Sequence, residues 1–314
     1  MQSSAKKRIG VLRGGAGKHY LSSLERGGGI ISHIFDNLSD RYKPADILVD
    51  KDHVWHFNGV PIKPSDLASK IDMVWNTSHP ILSNILDSLS IPNIGASSFF
   101  YTLENSKEML REHMKKIGME MPRSIVLPVY QRDFDGPRER YAIKKAKEVF
   151  EKFSSPWIVK SFTPDSNMGI HLAQTFPELV NAIEDGMNSG KSILVEEFIT
   201  GKVASVHSIP RFRGEDVYVF PLGNAFGDLS AQAGFSAEEK EILSNSAKNL
   251  RRHVGAEHYL KSDFVLNPRG KVYLLQVESV PDLKQGSHFS QVCESIGAKM
   301  HHVVEHMLER TINN

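Results

Sequence analysis

The sequence is poor in cysteine and in net charge, and it lacks a hydrophobic run long enough to span a membrane. Its one cysteine, Cys293, excludes an internal disulfide and any zinc site built from several cysteines, as is typical of proteins from a reducing compartment. Lys and Arg number 38 against 37 Asp and Glu, which leaves a formal net charge of +1. This balance argues against nucleic acid or an acidic membrane as a partner.

The N-terminus also lacks the apolar segment that follows the basic residues of a secretory signal. Lys6, Lys7 and Arg8 have no such segment behind them. We therefore expect a cytoplasmic protein. With 314 residues and 40% hydrophobic content, the chain is long enough for two or three domains with sizeable cores.

Neither common glycine-rich nucleotide motif is complete in "VLRGGAGKHY", residues 11–20. A P-loop ending in Gly-Lys would need a glycine where Leu12 stands and a hydroxyl where His19 stands. A dinucleotide-binding motif would need a third glycine in place of Tyr20. What remains is a strand that runs into a glycine turn. Such a turn is the usual place of a ligand loop in an open α/β sheet, although it could equally serve only to reverse the chain.

Alternating strand-like and helix-like segments predict the architecture. The runs "RIGVL", "ADILVD" and "IDMVW" alternate with helices, which predicts a parallel sheet covered by helices. The last third combines a helix, two strands in "SDFVLNPRGKVYLLQVES" and a closing amphipathic helix. In that closing helix, core positions recur at helical spacing. They are Val292, Ile296, Met300, Val303 and Met307.

Two lysines and a group of oxygen-bearing side chains carry the candidate chemistry. Lys107 opens a predicted helix, and Lys160 lies on a predicted strand before a polar loop, where each could neutralise a phosphate. Asp263 lies on one strand of the last hairpin, while Gln276 and Glu278 lie two residues apart on the other and share one face. Oxygen ligands of this kind suit magnesium. Taken singly, each residue could also be an ordinary solvated side chain.

In their order and spacing these segments resemble the ATP-grasp superfamily and, within it, the D-alanine–D-alanine ligases. The resemblance rests on "VLRGGAGKHYLSSLERGG", "SIPNIGAS", "NSKEML", "WIVKSFTPDSNMGI", "ILVEEFITG" and "KSDFVLNPRGKVYLLQVESVP". It implies an α/β protein with an N-terminal open parallel-sheet domain followed by a two-lobed ATP-grasp α+β fold. The implied domains are residues 1–96, a central lobe at 97–192 and a C-terminal lobe with the metal site at 193–314.

The resemblance implies ATP and a magnesium or manganese ion as the bound groups. The residues implied are Lys107 and Lys160 at the phosphates, the loop Thr163–Gly169 with Ser166 over them, Glu196, Glu197, Phe198 and Ile199 at the adenine, and Asp263, Gln276 and Glu278 at the metal. Lys261, Ser166 and His19 are the implied catalytic residues. In the implied reaction a carboxylate attacks the γ-phosphate, and an amine then displaces phosphate from the acylphosphate. Water must be kept out, because it would hydrolyse that intermediate.

The implied partners are small-molecule substrates, amino acids or peptides, within peptidoglycan biosynthesis. Neither nucleic acid nor a membrane is expected as a partner. A homodimer is compatible with the resemblance, and the sequence leaves the oligomeric state open.

The sequence departs from the family pattern mainly where the substrate would bind. The paired metal ligands, usually Glu then Asn, are Gln276 then Glu278, and Lys261 replaces the oxyanion arginine. Asp282 replaces the glycine after the proline, and His19 replaces the glutamate that holds the ammonium of the first D-alanine. "NTSHP" replaces an acidic glycine-rich segment, and "FPLGNAFGDLSAQAG" lacks the Tyr and Lys of the family's lid.

Three functions follow from this mixture of agreement and departure. The first is an ATP- and magnesium-dependent carboxylate–amine ligase of the D-alanine–D-alanine ligase type, divergent in substrate. The second is a ligase that joins other amino acids or a peptide. The third is a non-catalytic ATP-binding regulatory or scaffold module, favoured by the lid and arginine departures but opposed by Lys107, Lys160, Asp263 and Glu278.

Overall fold

The computed structural model of the chain describes residues 5–17, 19–162, 168–224 and 234–313. The chain forms two compact units, one of Met1–Met119 with Gly201–Asn314 and one of Glu120–Thr200. The division into domains at 1–96, 97–192 and 193–314 stays a prediction. Within the described ranges, no helix combines the length and the apolar character needed to cross a membrane.

The first unit begins with an open sheet of six strands in the order β4-β3-β2-β1-β5-β6. The strands are β1 (Lys7–Gly14), β2 (Tyr42–Val49), β3 (Trp55–Phe57), β4 (Val60–Pro61), β5 (Met73–Asn76) and β6 (Asn93–Ile94). The helices are α1 (Tyr20–Leu38), α2 (Ile81–Ser88), α3 (Ser98–Asn105) and α4 (Lys107–Lys116). Strands β2, β1, β5 and β6 are parallel, which confirms the predicted parallel sheet. The sequence pattern did not indicate the antiparallel edge strands β3 and β4.

The middle of the central strand β1 is buried on both faces and carries no polar side chain. Ile9 and Val11 pack into one hydrophobic cluster, and Leu12 packs into another. Burial on both faces is the reason that a central parallel strand reads as a continuous hydrophobic run. The same strand delivers the chain to the glycine turn at its carboxyl end.

A second sheet in the first unit carries the last hairpin, with strand order β12-β11-β14-β15 and β13 paired to β11. Its strands are β11 (Lys202–Pro210), β12 (Val217–Val219), β13 (Gly223–Asn224), β14 (Leu260–Leu266) and β15 (Val272–Glu278). The helices of this part are α8 (Ala237–Val254), α9 (His288–Ser295) and α10 (Met300–Ile312). A capping box of Ser236 and Glu239 begins α8, and Gly255 in the left-handed conformation ends it.

The prediction of one closing helix is wrong, because the segment forms two helices, α9 and α10. Gly297 lies between them with φ +67°, a left-handed conformation that ends the first helix. The predicted core positions are nevertheless confirmed: Val292, Val303 and Met307 are buried, and Ile296 and Met300 pack against the same cluster. Cys293 is buried there too, and burial raises the pKa of its thiol to about 12.

The second unit has its own four-stranded antiparallel sheet in the order β7-β10-β8-β9. The strands are β7 (Ser124–Leu127), β8 (Trp157–Ser161), β9 (His171–Ala173) and β10 (Ile193–Glu197). The helices are α5 (Tyr130–Asp133), α6 (Arg138–Lys152) and α7 (Phe176–Asn188). Its core forms where α6 and α7 pack with this sheet around Tyr141 and Trp157.

Candidate functional site

One face of β11, β14 and β15 is lined with polar side chains. Across β11 and β14, Ser205 pairs with Asp263 and His207 with Lys261. Across β14 and β15, Asp263 pairs with Gln276 and Lys261 with Glu278. Paired residues, and residues two apart on a strand, point to the same side of a sheet. We call these six residues the polar face: Ser205, His207, Lys261, Asp263, Gln276 and Glu278.

The two carboxylates of the polar face both lie next to the ammonium group of Lys261. The ammonium Nζ of Lys261 lies 3.2 Å from Asp263 Oδ2 and 3.0 Å from Glu278 Oε1. The Gln276 amide nitrogen donates to the same two oxygens at 2.7 and 3.3 Å. Ser205 donates its hydroxyl to the other oxygen of Asp263. The three predicted metal ligands and the predicted catalytic Lys261 therefore lie together.

Charge on the polar face is partly balanced within the protein. Burial alone would lower the pKa of Lys261, but Glu278 and Asp263 outweigh it and hold that pKa above its ordinary value. Lys261 is therefore an ammonium at neutral pH, opposite two carboxylates. One negative charge in this group remains to attract a further cation.

The donor atoms of the polar face fit a hard divalent cation. Asp263 and Glu278 offer carboxylate oxygens, and turning the amide of Gln276 presents its oxygen instead of its nitrogen. Among the described residues, no group of three or more His, Cys, Asp or Glu side chains is placed to hold a metal. The predicted set, two carboxylates and an amide, therefore depends on Gln276. A metal ion between the carboxylates would have to displace the Lys261 ammonium.

The segment that carries Gln276 and Glu278 is fixed on both sides. The β14–β15 pairing shifts register after Asp263, which leaves Leu275 without a cross-strand partner. The ammonium of Lys107, at the start of α4, donates to the carbonyl of Leu275. On the other side, Glu104 of α3 accepts hydrogen bonds from the backbone N–H of Ser279 at 3.2 Å and from its hydroxyl at 2.7 Å. The end of β15 is thereby held in place.

Replacing Glu104 by glutamine tests this anchor through the pH dependence of stability. Burial raises the pKa of the Glu104 carboxyl, against the opposing effects of Ser279 and Arg26. A raised pKa means that ionisation destabilises the folded state, so the penalty is absent at low pH and grows as the pH rises above the unfolded value. We expect Glu104→Gln to gain stability relative to the wild type between pH 4 and pH 8. Urea unfolding at several pH values measures this difference.

The matched control is Glu241→Gln on the exposed side of α8, which should show no such trend. A stability difference between Glu104→Gln and the wild type that stays constant from pH 4 to pH 8 would contradict the assignment.

The glycine turn after β1 is required by its surroundings. Gly14 and Gly15 adopt φ +86° and +87°, backbone conformations that residues with a side chain rarely adopt. A Cβ on Gly15 would lie 2.5 Å from the Ser78 hydroxyl, while the Gly15 N–H donates to the Val49 carbonyl at 2.6 Å. The strand, turn and helix therefore follow each other as predicted.

His19, at the N-terminal end of α1, lies at this turn beside a tyrosine and a second histidine. Its ring centroid is 6.2 Å from that of Tyr101, and the ring centroid of His79 is 4.7 Å from that of the same tyrosine. Tyr101 belongs to α3, three residues before Glu104, so the same helix borders both the turn and the end of β15. His79 belongs to the "NTSHP" segment that departs from the family pattern.

The second unit holds the other predicted ATP residues. Lys160 on β8 lies 2.7 Å from Glu196 on the adjacent β10, and Glu196 is buried. Glu197 receives two side-chain hydrogen bonds from Arg123, both 2.9 Å, and these hydrogen bonds lower its pKa. The Phe198 N–H donates to the Pro156 carbonyl at 3.1 Å.

Of the four residues predicted at the adenine, Glu196 and Glu197 end β10, and Phe198 and Ile199 follow it. Their assignment to adenine stays a prediction. Ser166 and most of the loop Thr163–Gly169 lie outside the described residues, as do residues 225–233 of the lid-less segment.

The sequence analysis missed four residues around the polar face. Their signal was the alternation of polar and apolar residues along each strand, as in "SVH" and "YLKSD". Helix α3 gave no such signal for its glutamate. The missed residues are Glu104, Ser205, His207 and Tyr259.

Comparison with known proteins adds the family. A family model described as the D-ala D-ala ligase C-terminus matches residues 120–309. A D-alanine–D-alanine ligase of Azobacteroides pseudotrichonymphae is 20% identical over 337 residues, which cover 96% of this chain and 99% of that relative.

Solved structures show the same fold over nearly the whole length. The D-Ala:D-Ser ligase VanG from Enterococcus faecalis aligns with a TM-score of 0.70 and 17% identity, covering 98% of this chain and 99% of that one. The D-alanine–D-alanine ligase from Bacillus anthracis complexed with ATP aligns with a TM-score of 0.67 and 18% identity, covering 98% and 97%.

These similarities confirm the resemblance and the predicted fold class, an α/β protein with the ATP-grasp fold. They also confirm the predicted class of enzyme, since the family consists of ATP-dependent ligases that form a carbon–nitrogen bond. The matched region covers more than half of the chain and includes Lys160 and the polar face. The chain belongs to the D-ala D-ala ligase family.

Proposed function

We propose that this protein joins the carboxylate of one amino acid or peptide to the amine of another, using ATP and magnesium. The observation that carries the proposal is that the carboxylates of Asp263 and Glu278 both lie next to the ammonium group of Lys261, in a chain of this family. Such a pair of carboxylates can hold a divalent ion together with the phosphates of a nucleotide. The polar face keeps one negative charge after Lys261 is counted, and a negative charge attracts a divalent cation.

Each predicted residue has a definite task in this reaction. Lys107 and Lys160 neutralise the ATP phosphates, and Glu196 to Ile199 receive the adenine, with Ser166 over the phosphates. Asp263, Gln276 and Glu278 would hold magnesium, which supplies charge neutralisation on the phosphoryl oxygens. Lys261 stabilises the negative oxygen that develops when the amine attacks the acylphosphate. Little covalent work is required of the protein, because positioning and charge neutralisation account for most of the catalysis.

The amine site has the least support from the sequence, because His19 occupies the position where the family places a carboxylate. An imidazole is neutral or positive and cannot pair with an ammonium. We therefore propose that D-alanine binds weakly as first substrate, or that another amino acid or a peptide replaces it. The D-Ala:D-Ser ligase among the structural relatives shows that this fold occurs with a changed amino-acid substrate.

Replacing His19 by glutamate tests this assignment. We expect His19→Glu to lower the KM for D-alanine by about tenfold or more, since a hydrogen bond to a charged group contributes about 1.5–3 kcal/mol. Phosphate release from ATP is measured across D- and L-amino acids and dipeptides, for the wild type and the variant. His302→Glu, on the exposed side of α10, adds the same charge elsewhere and serves as control.

The assignment of His19 fails if the wild type already uses D-alanine efficiently and the glutamate variant gains nothing. The glycine turn would then not recognise the ammonium.

A non-catalytic ATP-binding regulatory module is the second candidate, and one observation favours it. Both oxygens of Asp263 are already bonded to protein donors, namely Ser205 on one side and Lys261 with Gln276 on the other. A site of this kind is stable without a metal. Nucleotide binding without phosphate release for any amino acid, in both the wild type and His19→Glu, would favour this candidate over the ligase.

Location and assembly remain proposals. We propose a cytoplasmic protein, supported by its single buried cysteine. A homodimer is compatible with the family resemblance, and light scattering on the purified protein decides it.

A further inference from the structure

A chain of hydrogen bonds links three side chains at the polar face, and the proposed function leaves it unexplained. The Tyr259 hydroxyl lies 2.6 Å from Nδ1 of His207, and Nε2 of His207 lies 2.7 Å from Nδ1 of His288. Tyr259 and His207 are almost fully buried. Tyr259 precedes β14, and His207 lies on β11 opposite Lys261. His288 is the first residue of α9.

The hydrogen-bond roles in this chain follow from the tyrosine. Burial, with Glu278 and Asp263, raises the pKa of Tyr259 well above its ordinary value, so its hydroxyl keeps its proton. His207 Nδ1 is the hydrogen-bond partner of that hydroxyl, and donation to it satisfies the buried proton. Burial, with His288 and Lys261, lowers the pKa of His207 well below its ordinary value, so the ring is neutral. A neutral ring that accepts at Nδ1 carries its proton at Nε2.

The same reasoning fixes His288. Because His207 Nε2–H donates to His288 Nδ1, a neutral His288 carries its own proton at Nε2. Burial, with Lys261, lowers the pKa of His288, which keeps it neutral at pH 7. Its Nε2 is buried, and within the described part of the chain it has no hydrogen-bond partner. The chain of three therefore ends in an N–H donor whose position is fixed and whose acceptor is missing.

The surroundings of that donor indicate what it binds. His288 is hydrogen-bonded at 2.7 Å to His207, which pairs with Lys261 across β11 and β14, so His288 lies at the polar face. A neutral N–H donor near an ammonium is a suitable environment for an anionic oxygen. Carboxylate and phosphoryl oxygens share this chemistry, and both occur in an acylphosphate-forming reaction.

We propose that the His288 Nε2–H group donates a hydrogen bond to an anionic oxygen of the substrate next to Lys261, with His207 and Tyr259 as its positioning residues. The identification of that oxygen as substrate rests on the proposed function. The donor itself does not, because it follows from the contacts of Tyr259, His207 and His288.

Nitrogen NMR of the full-length protein labelled with ¹⁵N-histidine tests the donor directly. We expect both His207 and His288 as Nε2–H tautomers at pH 7, assigned with His207→Gln and His288→Gln. Inorganic phosphate and acetate, titrated separately, should shift the His288 Nε2 signal, and the stronger probe identifies the class of oxygen. An Nδ1–H tautomer at His288, or no response to either anion, would overturn the proposal even if the protein is an active ligase.

Kinetics with matched variants test the role in the reaction. His288→Gln keeps an N–H donor at the same reach, whereas His288→Leu keeps volume without a donor. We expect a KM for the amino-acid substrate raised about tenfold or more in the leucine variant, and mostly restored in the glutamine variant. Tyr259→Phe, which removes the group that fixes the tautomers, should raise the same KM without altering ATP affinity measured by calorimetry.

Equal kinetics in the leucine variant and the wild type would overturn the substrate contact. If the wild type releases no phosphate with any amino acid, the proposed ligase function fails, whereas the NMR titration still decides whether His288 binds an anion.

Discussion

Replacing Lys160 by alanine is expected to weaken the binding of magnesium ATP by more than tenfold. The reason is that a hydrogen bond between a charged group and a phosphate contributes about 1.5–3 kcal/mol. Lys160 is partly buried, and its ammonium is held 2.7 Å from Glu196, so its position is fixed before the nucleotide arrives. Isothermal titration calorimetry with a non-hydrolysable ATP analogue measures the change.

Two controls separate this effect from a loss of folding. Lys145→Ala removes another lysine of the second unit, one that pairs with Glu148 at 3.1 Å, and should leave nucleotide affinity unchanged. Lys160→Ala combined with Glu196→Gln removes both charges of the pair and should recover stability, because the single variant leaves the buried carboxylate of Glu196 without its lysine. Unchanged affinity in the single variant, with its fold intact, would remove Lys160 from the phosphate site.

Replacing Glu278 by glutamine is expected to raise the magnesium concentration needed for half-maximal activity by about tenfold or more, since contacts of charged groups contribute about 1.5–3 kcal/mol. The change keeps the shape of the side chain but removes one of the two carboxylates that converge on Lys261. Magnesium binding followed by calorimetry and phosphate release at several magnesium concentrations both report this change.

The fold itself should survive, because Glu278 is partly exposed at the end of β15 and Lys261 keeps Asp263 as its partner. Glu241→Gln removes one negative charge from the exposed side of α8 and should leave the magnesium requirement unchanged. A collapse of thermal stability in Glu278→Gln would show a structural role instead of metal binding.

The alternation of strand-like and helix-like segments predicted the parallel sheet, because the apolar pattern of each segment lies within a few neighbouring residues. A strand such as β1 needs apolar residues in the positions that are covered on both faces, and such a short apolar run is visible in a short window of sequence. The break between α9 and α10 was missed although Gly297 marks it. Five core positions at helical spacing outweighed that one glycine, and its left-handed conformation is a property of the folded backbone.

The polar face was predicted in part, because Lys261, Asp263, Gln276 and Glu278 lie two residues apart on two neighbouring strands. The hydrogen-bonded chain of Tyr259, His207 and His288 joins segments that are distant in the sequence. His207 meets Tyr259 across 52 positions and His288 across 81. Spacing along the chain carries no information about such contacts, so only the folded structure could identify them.

Transfer of an oxygen atom from substrate to phosphate tests the central claim most directly. The protein is incubated with ATP, magnesium and an amino acid labelled with ¹⁸O in its carboxylate, beginning with D-alanine and extending to the other amino acids and dipeptides. Attack of the carboxylate on the γ-phosphate places one labelled oxygen in each phosphate that leaves when the amine displaces it. The account predicts phosphate that carries one ¹⁸O together with a new peptide bond, both detected by mass spectrometry. Phosphate released without the label, or no release that depends on an amino acid, would contradict it.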